Sequence, residues 1–459
     1  MQGIAKNISR KAYYSSPPFI QRAVRYLTPG QRQFRKYLRE LEESQWWPPQ
    51  QLEELQNEKL RRIIHHAYEN VPYYRRVFDE RGLKPKDLQS KEDLRKLPLL
   101  DKYDIRFHYD ELKATNLGKW TPTLSHTSGS TGIPLKFLLD KNNLVLEGAF
   151  VMRAWSWGGF SEKGKQAVLR GVVTGSNEFY KIDKGSNALI LSSFLLNHQT
   201  VGRYVEKINE FSPQLIRGYP STLHYFCKLL QEKGLNCVKP IMAQTSSETL
   251  LDFQREIIEG QLGCKVFDLY GNGEHVSVIS ECKEGNYHIN SEYGITEFIN
   301  QVEEETKVGE LAEMVCTGLN NFSMPLIRYR VGDMASFSGR RCPCGRGLPI
   351  VDSLEGRLDD MIITPDGRRI SAAGMTLAFE FSENIKQCQL VQDTGDELVV
   401  NIAKNERYGE EDHNFVINQL RKRIGAEMKI RVNFVENIPR TKEGKYRFMI
   451  SNLPGISAT

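Results

Sequence analysis

The sequence predicts an α/β protein with two domains: a large N-terminal domain of mixed sheets with a β-rich subdomain (residues 1–358), and a small α+β domain (residues 359–459). Three observations support this prediction. With 459 residues, the chain exceeds the size at which one hydrophobic core stops growing. Short Val- and Ile-rich runs alternate with helical stretches, as in an α/β sheet. After residue 360 the chain begins a second, self-contained set of elements.

The elements of the large domain follow from residue spacing. Residues 51–69 place Leu52, Leu60, Ile63 and Ala67 at helical intervals, so a helix is expected up to Val71-Pro72. Four short apolar or mixed runs bounded by turn residues are predicted strands: Gln166–Leu169, Leu215–Arg217, Ile241–Ala243 and Val266–Leu269. Between Gly309 and Arg340, Gly and Asn turns separate further strands, which predicts the β-rich subdomain.

The small domain has its own pattern, and we place its boundary at Asp359. About 100 residues of βα alternation are enough for an independent domain. The predicted elements are a strand at Met361–Ile363, a helix near 373–383, strands near 388–392 and 397–403, a helix near 411–424 and a strand near 429–435.

Composition limits the function classes. The chain is 40% hydrophobic and 26% charged, and its net charge of +5 is the small difference between 62 basic and 57 acidic residues. Such a balance predicts no strong field for nucleic acid, although the basic first 40 residues leave two readings open, a membrane-surface contact or a docked arm. Without a signal-type segment or an apolar run of about 18 residues, we expect a cytoplasmic protein. Its eight cysteines are then reduced thiols or metal ligands.

A Ser/Thr/Gly-rich segment is the clearest local signal. It reads Thr127-Ser128-Gly129-Ser130-Thr131-Gly132-Ile133-Pro134. Two glycines free the backbone while several hydroxyls converge, so backbone N–H and hydroxyl donors could wrap a polyphosphate. The segment lacks the Gly-Lys-Ser/Thr of the nucleotide-kinase P-loop, and a Ser/Thr/Gly run read by itself is more often a flexible turn.

Four further segments follow this loop in a fixed order. They are Tyr270-Gly271-Asn272-Gly273-Glu274, Tyr329-Arg330-Val331-Gly332-Asp333, Gly356-Arg357-Leu358-Asp359-Asp360 and Pro439-Arg440-Thr441-Lys442-Glu443-Gly444-Lys445. Together with the loop they resemble the successive core motifs of the adenylate-forming superfamily. Asn70-Val71-Pro72-Tyr73-Tyr74, Leu97–Lys102 and Arg217–Ser221 resemble the phenylacetate-CoA ligase branch, especially its CapK-like members associated with surface polysaccharides.

The resemblance implies a nucleotide site. The backbone of the loop and four hydroxyl residues, Thr127, Ser128, Ser130 and Thr131, would hold the ATP phosphates together with Gly129 and Gly132. Tyr270, followed by Gly271, would lie against adenine, which Ser247 and Glu248 would flank. Glu274 would hold Mg²⁺, a hard cation that prefers oxygen ligands.

The resemblance also implies a moving small domain. Asp333 would accept hydrogen bonds from the ribose, and Arg357 would contact ribose or phosphate. Asp359 would be the hinge about which the small domain rotates. Lys445, on that domain, would stabilise charge at the α-phosphate and acyl carboxylate. Taken singly, Glu274, Asp333 and Lys445 are equally compatible with surface or turn positions.

Two departures from the family pattern affect the site. Ile133 stands where many relatives have Lys, which puts ATP affinity in doubt. Asn272-Gly273 replaces two small or hydroxyl residues, which bears on the acyl pocket. We expect that pocket to include Trp155, Trp157, Arg217 and Tyr219, although aromatic residues of this kind also serve as core.

A second set of residues suggests a metal site. Cys282 and His288 are separated by five residues, and Cys342 and Cys344 by one. Three thiolates and one imidazole form a closed tetrahedral set of the type found in structural zinc sites. The alternative is two unrelated pairs on loops.

The predicted function is a two-step ligase that uses ATP and Mg²⁺ to convert a small carboxylic acid into its acyl-adenylate. CoA is the expected acceptor, and an amine or sugar acceptor giving an amide or ester stays open. A non-catalytic nucleotide-binding regulator is the second class, and a nucleic-acid binder has no recognisable module in the chain. The acid and the oligomeric state stay open.

Overall fold

The computed structural model of the chain describes residues 29–119, 122–126, 135–171, 178–300, 302–357, 361–370, 375, 379, 384–441 and 446–453. Within these ranges, none of the helices has the length and apolar character needed to cross a membrane.

Helices at the N-terminal end pack on the large domain. They are α1 (Pro29–Ser44), α2 (Pro49–Asn70), α3 (Pro72–Glu80) and α4 (Lys102–Phe107), with short 3₁₀ turns at Pro85–Asp87, Lys91–Lys96 and Leu117–Lys119. Proline opens α2 and α3, where its missing N–H costs nothing. The predicted helix at 51–69 is confirmed as α2, which buries Leu60, Ile63 and Ile64.

A 12-stranded sheet forms the centre of the large domain, in the order β11-β12-β13-β14-β10-β9-β8-β7-β6-β3-β5-β4. Its strands are β3 (Gln166–Arg170), β4 (Tyr180–Asp183), β5 (Ala188–Ser192), β6 (Leu215–Gly218), β7 (Met242–Ser246), β8 (Val266–Gly271), β9 (Val278–Glu281), β10 (Tyr287–Ile289), β11 (Gly294–Ile299), β12 (Leu311–Gly318), β13 (Tyr329–Ser338) and β14 (Ile350–Arg357). A separate hairpin is formed by β1 (Thr123–His126) and β2 (Lys136–Leu139).

The sheet has a parallel half and an antiparallel half. Strands β5, β3, β6, β7 and β8 run parallel, connected by helices α6 (Val201–Phe211), α7 (Pro220–Lys233) and α8 (Asp252–Leu262). From β8 onward, through β9, β10, β14, β13, β12 and β11, every pair is antiparallel. The predicted α/β and β-rich regions are therefore two halves of one sheet, because β8 pairs with both.

Two helices connect this sheet to the N-terminal helices. Helix α5 (Lys141–Trp157) begins at Asp140, whose carboxylate accepts the backbone N–H of Asn143 at 2.7 Å and that of Phe322 at 2.8 Å. The completely buried Arg153 of α5 pairs with Glu292 at 2.7 Å, and Ser44 at the end of α1 donates to the same carboxylate at 2.7 Å. This buried pair fixes α1 and α5 against the sheet.

The C-terminal elements share a hydrophobic core of their own, which includes Leu390, Val400, Val416, Leu420 and Met449. A four-stranded sheet in the order β19-β18-β17-β20 packs with one helix. The elements are β15 (Ile362–Ile363), β16 (Arg369–Ile370), β17 (Ile385–Thr394), β18 (Glu397–Lys404), α9 (Glu410–Ile424), β19 (Lys429–Phe434) and β20 (Met449–Ser451). The helix predicted near 373–383 falls almost entirely outside the described residues.

Candidate functional site

A buried carboxylate lies in the turn that follows β8. Glu274 is 7% exposed and accepts a hydrogen bond on Oε1 from the hydroxyl of Tyr329 at 2.7 Å. Tyr329 begins β13, so the hydrogen bond ties the β8–β9 turn to the antiparallel half of the sheet. Burial, and secondly the Glu274 carboxylate, raise the pKa of Tyr329 well above its usual value. The phenol of Tyr329 therefore stays protonated and remains a neutral hydrogen-bond donor.

A second tyrosine–carboxylate pair lies close by in sequence and fold. The hydroxyl of Tyr270, near the end of β8, donates to Asp333 Oδ2 at 2.7 Å. Burial, followed by the effect of Asp333, raises the pKa of Tyr270 well above its usual value. Arg357 is the cross-strand partner of Asp333, and its Nε lies 3.8 Å from Asp333 Oδ1. The ends of β8 and β14 and the middle of β13 thus bring together Tyr270, Asp333 and Arg357, which are 63 and 24 positions apart in the sequence.

Two glycines let these strand ends approach. Gly332 and Gly356 have φ of 79° and 81°, in the left-handed region that favours glycine. A Cβ on Gly356 would lie 2.7 Å from the side-chain oxygen of Thr249. Glycine is therefore favoured at position 356, where β14 passes Thr249 in the segment that follows β7.

That segment carries the domain contact. Ser247 is exposed, and its φ of 70° turns the chain sharply after β7. Glu248 Oε2 then accepts the backbone N–H of Ser221 at 3.0 Å in the first turn of α7, and Oε1 accepts the backbone N–H of Tyr446 at 2.9 Å. Burial raises the pKa of Glu248, while these two N–H donors oppose the shift. Both carboxylate oxygens of Glu248 therefore already accept a backbone N–H, and the predicted role beside adenine would be additional to these two hydrogen bonds.

Arg440 makes the second contact between the domains. Its Nη1 lies 3.2 Å from the hydroxyl of Ser221 and 3.3 Å from that of Thr222. Sequence reasoning assigned no role to Arg440 or Tyr329, although both stand inside recognised motifs. Their roles depend on partners more than 50 positions away, so local spacing carried no signal for them.

Several predicted site residues lie outside the described residues. These are the whole Ser/Thr/Gly loop, namely Thr127, Ser128, Gly129, Ser130, Thr131 and Gly132, together with the hinge Asp359 and the catalytic candidate Lys445. Gly271, the last residue of β8, is described and exposed.

The predicted acyl-pocket residues separate in the structure. Arg217 in β6 is held by Gln166 Oε1 at 2.8 Å and lies over the Trp155 ring, 5.0 Å from its centroid. Burial, with nearby Arg170, lowers the pKa of Arg217 to about 10. Trp157 instead packs edge-on against the His288 ring at 5.5 Å, so it belongs to the cysteine–histidine cluster.

The predicted zinc ligands do come together. The ligand atoms of Cys282, His288, Cys342 and Cys344 all lie within 4.8 Å of one another, and all but Cys344 are buried. Burial lowers the pKa of His288 to about 4, so its ring is neutral at physiological pH. The four side chains thus form one cluster, and two unrelated pairs are excluded.

Relatives with established names match most of the chain. The CapK C-terminal domain family matches residues 362–452. Protein CapK of Staphylococcus aureus is 25% identical over 87% of this chain and 89% of its own length. The phenylacetate-coenzyme A ligase of Aromatoleum evansii is 30% identical over 68% of this chain and 72% of its own length. That of Thermus thermophilus is 27% identical, with 87% and 96% covered.

Solved structures agree on the fold. A 2-hydroxyisobutyryl-CoA ligase in its postadenylation state, in complex with R3-HIB-AMP, superposes with a TM-score of 0.73 at 19% identity, covering 89% of this chain and 91% of that one. Since the relatives include a phenylacetate-coenzyme A ligase that is 30% identical, the chain belongs to the phenylacetate-CoA ligase and CapK-like branch of the adenylate-forming superfamily, whose members are AMP-forming acid ligases.

Proposed function

We propose that this ligase activates a carboxylic acid with ATP and transfers the acyl group to CoA. In the first step a carboxylate oxygen attacks the α-phosphorus of ATP, which gives acyl-AMP and pyrophosphate. In the second step the CoA thiol attacks the acyl carbon, loses its proton, and displaces AMP. The observation that carries the proposal is the hydrogen bonding of Glu274 with Tyr329 and of Asp333 with Tyr270, which joins β8 and the turn after it to β13.

Magnesium fits the Glu274 side of the site. Among the described residues Glu274 has no cationic partner, and the Tyr329 hydrogen bond uses only Oε1. A buried carboxylate with a remaining oxygen is the donor type that Mg²⁺ uses when phosphates supply its other ligands. Bound there, the ion would neutralise phosphate charge. Tyr329 would keep the carboxylate oriented, because its raised pKa keeps it protonated.

The ribose fits the Asp333 side. Asp333 is an acceptor already oriented by Tyr270 on one oxygen and approached by Arg357 on the other. A carboxylate accepts charge-assisted hydrogen bonds from two neighbouring hydroxyls well, which suits the 2′- and 3′-hydroxyls of a nucleotide. Arg357, at 3.8 Å, is close enough to share its guanidinium between Asp333 and a phosphate.

The small domain would supply Lys445 for the first step. What supports this role is that Arg440 and Tyr446, described residues that bracket positions 442–445, both contact the large domain through Ser221 and Glu248. These contacts hold Arg440 and Tyr446, the described residues on either side of Lys445, against the first turn of α7 and Glu248. Rotation about Asp359 would then release these contacts and open the site for CoA.

Pyrophosphate release tests the reaction. The chain should be incubated with ATP, Mg²⁺ and a panel of aryl, fatty, amino and sugar acids, with and without CoA. We expect release that depends on one class of acid, with a thioester formed when CoA is added. If pyrophosphate is released and an added amine or sugar is converted into an amide or ester, the acceptor is that amine or sugar and not CoA. The absence of acid-dependent pyrophosphate release with every class of acid would contradict the proposal and favour a nucleotide-binding regulator.

Because ATP and CoA are cytoplasmic, we propose that the reaction takes place in the cytoplasm.

A further inference from the structure

A cysteine–histidine cluster that the ligase chemistry does not use lies at the far end of the antiparallel half of the sheet. Cys282 directly follows β9, His288 lies in β10, and Cys342 and Cys344 lie in the loop that connects β13 to β14. We propose that these four side chains bind one structural Zn²⁺. This inference is independent of the proposed reaction.

The distances within the cluster match a tetrahedral zinc ion. Zn–S bonds of about 2.3 Å and Zn–N bonds of about 2.0 Å at tetrahedral angles place two sulfurs about 3.8 Å apart and sulfur and nitrogen about 3.5 Å apart. Cys282 Sγ and Cys342 Sγ are 3.7 Å apart, and Cys344 Sγ lies 3.4 Å from His288 Nε2. A disulfide would require about 2.0 Å between sulfurs, so the thiols are not oxidised partners.

Polar groups behind the ligands orient them for a metal. His288 Nδ1 lies 3.2 Å from the carbonyl oxygen of Leu348, which favours the tautomer that donates from Nδ1 and presents the Nε2 lone pair to the cluster. The side-chain N–H of Asn286 points at Cys342 Sγ at 3.4 Å, and the backbone N–H groups of Glu284 and Asn286 point at Cys282 Sγ. N–H donors of this kind stabilise thiolates, the form that zinc binds.

The cluster is closed and distant from the nucleotide end. Four protein ligands complete the coordination of a tetrahedral zinc, and Leu52, Trp157, Leu348 and Ile350 pack around them, so no position remains for a reacting water. Strand β14 starts at Ile350 beside the cluster and ends at Arg357. Seven residue steps of about 3.3 Å separate those two ends by roughly 23 Å. The metal therefore has a structural role.

The metal would hold a loop onto which the α1–α2 turn is docked. Gly347 N donates to Gln45 O at 3.1 Å, and Arg346 Nε donates to Gln45 Oε1 at 3.0 Å. The Arg346 guanidinium lies 4.1 Å from the centroid of the Trp157 ring. A Cβ at Gly347 would lie 1.8 Å from the carbonyl oxygen of Trp47, so the loop touches this turn directly. Zinc would thus join the N-terminal helices to the sheet by fixing residues 342–348.

Metal content tests the proposal on the whole chain. The chain is purified without a metal-affinity step, dialysed against metal-free buffer and analysed by mass spectrometry of metals. We expect close to one zinc per chain. The double variant Cys342→Ser/Cys344→Ser should lose it, while a matched double variant outside the cluster, Cys237→Ser/Cys264→Ser, should keep it. Equal zinc in both double variants would overturn the assignment of these ligands.

A spectroscopic measurement keeps the test independent of variant folding. Replacing the bound metal of the unmodified chain with Co²⁺ should give a near-ultraviolet thiolate-to-cobalt band and the intense visible bands of tetrahedral cobalt. Strong chelation should speed amide hydrogen exchange in residues 45–48 and 342–348 and leave β17 and β18 unchanged. A chain expressed with added zinc that contains no metal and gives no cobalt bands would overturn the proposal.

Discussion

The two ends of strands β9, β13 and β14 differ in chemistry although the same sheet carries both. At one end, Glu274 and Asp333 offer carboxylate oxygens, each held by a tyrosine hydroxyl at 2.7 Å. At the other end, three thiols and an imidazole converge within 4.8 Å. Oxygen ligands suit an exchangeable Mg²⁺ and its nucleotide, whereas sulfur and nitrogen suit a permanently bound zinc.

Two buried glutamates show the same contrast in charge. Glu292 pairs with the buried Arg153 at 2.7 Å, so its charge is compensated inside the protein. Glu274 is about equally buried, but among the residues that the structure describes its partner is the neutral Tyr329. A buried carboxylate is costly unless its charge is matched. The comparison therefore distinguishes Glu292, which has a cationic partner inside the protein, from Glu274, for which we propose a bound Mg²⁺ as the partner.

Removal of Lys445 should have the largest effect on the rate of adenylation, the reaction proposed for the nucleotide-binding end of the sheet. Lys445→Ala should slow adenylation by ~10³-fold, because a preorganised charge at the reacting phosphate is lost. ATP–pyrophosphate exchange measures the effect, with Lys442→Ala as the control in the same segment. Thioester formation from chemically prepared acyl-AMP should be much less affected. Equal loss in both half-reactions would contradict the assignment.

Glu274→Gln should cause the second-largest decrease in the rate of adenylation. The amide can still accept from Tyr329, so the fold should be kept, but the charge that binds Mg²⁺ is gone. We expect ~10²-fold slower adenylation with a higher KM for MgATP. Kinetics over a range of Mg²⁺ concentrations measures the change. Unchanged Mg²⁺ dependence would show that Glu274 does not hold the ion.

Glu292→Gln is the matched change in the structural carboxylate. It leaves Arg153 buried without a counter-charge, so the free energy of unfolding should fall by roughly 3–5 kcal/mol. Urea unfolding measures this loss, and the rate of adenylation by the folded variant should stay close to that of the unmodified chain. A Glu292→Gln protein that is as stable as the unmodified chain but slow in adenylation would contradict the structural role of Glu292.

Weakening the contact between the domains at Glu248 should cause a smaller decrease in the rate of adenylation. Glu248→Ala removes the acceptor of the Tyr446 N–H, so the arrangement that supports adenylation is less populated. A lost charge-assisted hydrogen bond of this type predicts ~10-fold slower pyrophosphate exchange. Glu248→Gln keeps an acceptor and should recover part of the rate. Equal effects of the two substitutions would argue against a hydrogen-bonding role.

Asp268, which lies in β8 between the two ends, should have the smallest effect on the rate of adenylation, and its effect on stability depends on pH. Burial raises its pKa to about 7, with Thr245 donating to it at 2.6 Å. The folded chain therefore holds this proton more tightly than the unfolded chain, and the stability it contributes is lost as pH rises from about 4 to about 7.

Asp268→Asn cannot lose that proton. Relative to the unmodified chain, the variant should therefore gain roughly 2–3 kcal/mol between pH 5 and pH 8. Urea midpoints at the two pH values measure the gain. The same difference at both pH values would contradict the raised pKa.

Much of the fold could be predicted because it depends on local pattern. Helix α2 follows from its apolar spacing, and β3, β6, β7 and β8 begin at or within one residue of their predicted starts. That the two halves form one continuous sheet could not be predicted. The pairing of β8 with β9 is made by backbone hydrogen bonds, which do not depend on particular side chains. The parallel pairing of β20 with β17 was missed for the same reason.

The sequence by itself determined the superfamily, and it predicted which residues carry the chemistry: the ordered motifs predict Glu274, Asp333, Arg357 and Lys445, and three cysteines with one histidine predict a metal site. Only the tertiary structure decided who their partners are. It assigned Tyr329 to Glu274, Glu248 to the domain contact and Trp157 to the metal cluster. Residue type fixes what a side chain can bind, whereas its actual partner depends on long-range strand pairing that brings distant positions within hydrogen-bond distance.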